Sequence, residues 1–143
     1  AGLDPQRTHW LGAISTEDYE SLLAHSEAHL YLTIPFVLSW SLLEAMAVGA
    51  PLVCSDTEPI KEVLTDNVNS LLAPFGNPSL LASALQNCLE NRSAAQRRAF
   101  AAQKRALNYD ARHGLQGWKA LLGAGECQSG KRDLPIDACR PGL

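Results

Sequence analysis

Three short apolar runs, AHLYLTI at 28–34, APLVCS at 50–55 and NSLLAPF at 69–75, each lead into a segment of helical spacing. This alternation constrains the fold more than any other feature. The runs have little polar alternation, as expected of strands covered on both faces. Strands returned to one sheet through helices run parallel. The expected fold class is therefore α/β, a parallel sheet flanked by helices, closed by further helices after it.

The remaining segments fit that plan. RTHWLG at 7–12 reads as a short strand ending in Gly12. STEDYESLLAHS follows as a helix capped by Ser15 or Thr16, with Tyr19, Leu22 and Leu23 as its apolar stripe. Ser39 caps the next helix, which stops at Gly49, and Pro59 sits in the first turn of a short helix over EPIKEVLT. PSLLASALQNCLE, AAQRRAFAAQKRAL and ARHGLQGWKALL are helical by spacing. The expected domain covers residues 1–124, and 125–143 read as a loose or disordered tail of Gly, Pro and charge without periodicity.

Composition excludes several classes. No apolar stretch approaches the roughly 20 residues that cross a bilayer, and AGLDPQRTHW has no signal-peptide core. Cys54, Cys88, Cys127 and Cys139 form no C-x-x-C pair, which reads as reduced thiols in a cytoplasmic protein. His25 and His29 stand i, i+4 but across a helix-to-strand joint, without a third metal ligand nearby. Net charge is −3, unevenly spread: residues 1–89 carry −8, with only Arg7 and Lys61 as cations, and residues 90–143 carry +5. Arg92, Arg97, Arg98, Lys104 and Arg105 share one helical stretch interleaved with a single aromatic, Phe100, so no nucleic-acid groove is expected.

One carboxylate stands out. In TIPFVLSWSLLEAMAVG, Glu44 lies nearly opposite Leu42 on the helix, on a face with Trp40 at i−4 and Val48 at i+4. It is either an exposed surface acid or a lone acceptor in a partly covered site, able to take both hydroxyls of a ribose. Open parallel sheets bind ligands at the carboxyl ends of their strands, where helix N-termini present free amides. The passage before Glu44 is such a strand-to-helix turn.

SLLEAMAVGAPLVCSDTEPIKEVLTDNVNSLLAPFGNPSLLASAL, with WLGAISTEDYESLLAHSEAHLYLTIP before it, resembles the C-terminal nucleotide-binding domain of glycosyltransferase family 4. The resemblance covers about residues 7–90 and extends more loosely to about 122. It implies part of a Rossmann-like domain of the GT-B fold, starting at the third strand of the family's sheet. A three-strand parallel core is then expected at 29–34, 52–54 and 70–73, with the strand at 8–11 detached or shifted beside it. The resemblance also implies a retaining transferase that moves a hexose from a UDP- or GDP-linked sugar to a glycan or lipid-linked acceptor. No cofactor or metal is expected, and the intact enzyme could associate peripherally with a membrane. In nucleotide binding, Glu44 would hold the ribose, Ser39, Trp40 and Ser41 would face the diphosphate, and Gly12, Ala13 and Ile14 would lie near the base. Pro35, Phe36, Val37 and Leu38 would line the donor-sugar pocket.

Two departures bear on activity. The family's first motif Glu, eight positions before Glu44, is replaced by Phe36, which cannot accept a hydrogen bond. Ser70 stands where the family usually has Gly. A full GT-B enzyme is also more than twice this length, so the chain alone is expected to be inactive. The alternative is a non-catalytic, degenerate interaction domain that binds a partner through its basic C-terminal helices. A GT-B epimerase is a third reading, disfavoured by the motif spacing.

Overall fold

The computed structural model describes residues 2–34 and 37–123. A first compact unit runs to Asp110, and a second begins at Ala111. In the first unit the elements are α1 (Thr16–His25), β1 (His29–Tyr31), α2 (Trp40–Val48), β2 (Leu52–Ser55), α3 (Glu58–Lys61), β3 (Leu71–Ala73), α4 (Pro78–Glu90) and α5 (Arg92–Ala106). A 3₁₀ turn, Leu107–Tyr109, closes it. The described part of the second unit is α6 (Ala111–Leu121), which has no buried residue. The expected tail at 125–143 lies outside the described residues.

The three strands form one parallel sheet in the order β1-β2-β3, as the alternation of elements requires. Leu30 pairs with Val53, and Val53 with Leu71. β1 and β3 are shorter than the expected 29–34 and 70–73, and β2 is one residue longer than the expected 52–54. Hydrogen bonds past the strand ends prolong the pairing. The Thr33 amide donates to Ser55 Oγ at 3.2 Å, and Ser55 Oγ donates to the Thr33 carbonyl at 3.4 Å. The Asp56 amide continues the other edge to the Ala73 carbonyl at 2.8 Å.

Successive strand residues face opposite sides, and the core divides accordingly. Leu52 and Cys54 join Leu23, Leu42, Met46, Ile60 and Leu64 on one face. Val53 joins Leu71, Cys88 and Ala95 on the other. β2 is buried at all four positions, which explains its unbroken apolar run.

The strand expected at 8–11 does not form. These residues carry no strand pairing, and Trp10 is 88% exposed. A strand exists through its ladder, and among the described residues no strand lies beside these amides to accept them. The short helix expected over 58–65 also stops early, at Lys61. Asn69 interrupts there instead: its side-chain oxygen accepts from the Thr65 amide at 2.6 Å, and its side-chain nitrogen donates to the Val63 carbonyl at 3.2 Å.

Candidate functional site

α1 and α2 bring the site together. Ser15 caps α1: its Oγ accepts from the Asp18 amide at 3.1 Å and donates to the Asp18 carboxylate at 2.8 Å. The cap pins the entry of α1, and Ile14 sits directly before it. Ser39 caps α2 in the same way, accepting from the Ser41 amide at 3.2 Å, with the two hydroxyl oxygens 2.7 Å apart. α2 buries Leu42, Ala45 and Met46. That packing turns Glu44 outward, where it is exposed.

Glu44 faces a cavity of about 250 Å³ lined by Ile14, Ser15, Thr16, Tyr19, Glu20 and Glu44. Ile14 and Glu44, thirty positions apart in sequence, thus meet at one site. On its other side Glu44 borders a larger, mainly apolar cleft of about 600 Å³, with Trp40, Leu43, Phe100, Lys104, Leu107 and Tyr109 among its walls. Trp40 is 81% exposed and stands at the rim of that cleft. Lys104 lies over the Phe100 ring, 4.6 Å from its centre.

The other expected residues are placed as follows. Gly12, at φ +64°, and Ala13 are exposed in the passage leading to Ile14. Val37 is exposed, whereas Leu38 packs against the main core. Pro35 and Phe36 lie outside the described residues. Of the cations expected to be scarce, Lys61 is already paired with Asp56 at 2.6 Å and Glu58 at 3.3 Å.

The small cavity is acidic, with Glu20 and Glu44 in its wall and no cation among the described residues that line it. Such a lining suits a neutral polyol better than a phosphate. Lys104 is the cation of the neighbouring cleft, on the other side of Glu44. It comes from the basic helix α5 and not from residues 1–89, whose cations are Arg7 and Lys61.

Tyr19 was legible only as a member of an apolar stripe. Its ring does pack against the main core, yet the residue remains half-exposed and lines the cavity. Burial raises the pKa of its phenol, and the neighbouring Glu44 carboxylate and Tyr31 phenol act in the same direction. The signal was its amphipathic side chain, apolar in the ring and polar at the tip. His25 and His29 part company: His25 Nδ1 lies 2.7 Å from the Ser21 carbonyl oxygen, and His29 opens β1. Among the described residues, no group of three or more His, Cys, Asp or Glu is placed to hold a metal. No described helix is long and apolar enough to cross a membrane.

Comparison with known proteins bears on the family and the fold. A phosphatidyl-myo-inositol mannosyltransferase of Mycobacterium leprae (strain TN) is 38% identical over 69 residues, which is 48% of this chain and 18% of that protein. The crystal structure of Anabaena HepE in complex with UDP superposes with a TM-score of 0.65 at 25% identity, covering 72% of this chain and 29% of HepE. HepE in complex with UDP-glucose superposes with a TM-score of 0.67 at 24% identity over the same shares. The chain thus spans under a third of either protein's length. The profile of the glycosyl transferases group 1 family matches residues 4–106, most of the compact unit that carries the cavity, and the chain belongs to that family.

Proposed function

We propose that this chain supplies the nucleotide-binding side of a retaining hexosyltransferase. The donor is a nucleotide-sugar linked through UDP or GDP, and the acceptor is a glycan or a lipid-linked glycan. In the reaction, the bond from the anomeric carbon to the diphosphate oxygen breaks. A bond to an acceptor hydroxyl oxygen forms, and that hydroxyl's proton is balanced by the departing nucleoside diphosphate, which leaves with the electron pair of the broken bond. The reading calls on no metal and no further cofactor.

One observation carries the proposal: Glu44 and Ile14 line a single cavity in a chain of this family. An exposed carboxylate there can accept both ribose hydroxyls while Ile14 covers the base. The UDP bound to HepE supports a nucleoside diphosphate as the ligand class. The diphosphate is assigned to the start of α2, beside Ser39, Trp40 and Ser41, where the Ser39 hydroxyl already holds the Ser41 amide. Val37, beside the same turn, would border the sugar. Sugar transfer requires the acceptor side of the cleft as well, so this chain alone is expected to stay at the background rate of donor hydrolysis.

The exposed apolar walls of the larger cleft favour a second reading, a partner-binding domain without catalysis. Calorimetric titration with UDP and with GDP separates the two. Saturable binding to the wild-type chain, weakened about tenfold to a hundredfold in Glu44→Ala, supports the nucleotide site. Equal affinity of wild type and Glu44→Ala returns Glu44 to the status of a surface acid and leaves the partner-binding reading.

A further inference from the structure

We infer that Tyr19 is a second ribose-binding residue, donating its phenolic O–H to a diol oxygen whose own hydroxyl proton is accepted by Glu44. The inference rests on the nucleotide reading above and names what completes recognition of the sugar ring.

A vicinal diol offers two O–H donors and two oxygen acceptors. An ionised carboxylate accepts only, so Glu44 can satisfy the donors and leaves the acceptors unmet. A donor is needed on the facing wall, and Tyr19 stands there, on α1 opposite α2. Its ring is packed against the main core, which fixes the side chain, and the residue lines the cavity together with Glu44. Burial and the nearby Glu44 charge both keep the phenol protonated, and therefore a donor, at neutral pH. Neither Tyr19 nor Glu44 has a side-chain hydrogen-bond partner among the described residues. Two complementary groups thus face one cavity, each unpaired. The other hydroxyls there are less suited: Ser15 is engaged with Asp18, and Thr16 lies exposed on the first turn of α1.

The test is calorimetric titration of wild type, Tyr19→Phe and Glu44→Ala with UDP and GDP and with their 2′-deoxy and 3′-deoxy counterparts. Tyr19→Phe keeps the packed ring, so its thermal midpoint should match that of wild type. Its affinity for the ribonucleotide should fall about threefold to tenfold, the scale of one neutral hydrogen bond. Its preference for the ribonucleotide over one of the two deoxy forms should shrink by the same factor. Binding of all the nucleotides as tightly as wild type would overturn the inference. If Glu44→Ala weakens binding while Tyr19→Phe does not, the role of Tyr19 falls and the nucleotide site stands. If the wild-type chain binds no nucleotide, or Glu44→Ala binds as wild type does, the underlying reading falls and takes Tyr19 with it.

Discussion

The side-chain nitrogen of Gln103, on α5, donates a 2.9 Å hydrogen bond to the Ala47 carbonyl in the last turn of α2. That carbonyl is one of the four that a helix end leaves without an intrahelical donor. Gln103 therefore clips α5 to the end of the helix that carries Glu44.

Loss of this bond should be measurable. Gln103→Ala is expected to lower stability by about 0.5–1.5 kcal/mol, towards the low end because water can reach Ala47. Gly49, the C-cap of α2, sits at φ +79°, and a Cβ there would meet Gln103 Nε2 at an ordinary 3.6 Å. Gly49→Ala should then cost about 1–2 kcal/mol from its backbone conformation alone. Urea unfolding midpoints check both. An unchanged midpoint for Gln103→Ala would leave the clip without energetic weight.

Stability should also depend on His29. Burial lowers its pKa below the ordinary value of 6.5. The unfolded chain then binds the proton more readily than the folded one, so stability rises with pH. The contribution is fully present above about pH 6.5 and is lost as pH falls from there towards the folded pKa. Thermal midpoints between pH 7.5 and about 5 should fall less steeply in His29→Gln than in wild type. Parallel curves for the two proteins would contradict this.

Cys54 should be inert while the chain is folded. It is wholly buried in β2, and burial pushes its thiol pKa up to about 12. The thiolate is the reactive form, so at pH 8 both access and ionisation are denied. Alkylation followed by peptide mapping should find Cys54 unmodified in buffer and modified in urea. Modification at equal rates in both conditions would mean that β2 opens readily.

Much of the fold follows from local sequence. Apolar runs of strand length, the caps Ser15 and Ser39, and the stop at Gly49 are matters of side-chain chemistry over a few residues, and each appears where the pattern places it. The outward direction of Glu44 belongs with these, because helical periodicity alone sets it opposite Leu42. The segment at 8–11 does not, because a strand depends on a neighbour that no local pattern can supply. Tertiary structure alone decided that Ile14 and Glu44 border the same cavity. It also placed Tyr19 on the facing wall and brought Lys104, from a helix sixty positions on, to the other side of Glu44. Those meetings depend on how α1 and α5 pack against α2, and packing is set by shapes brought together from distant parts of the chain.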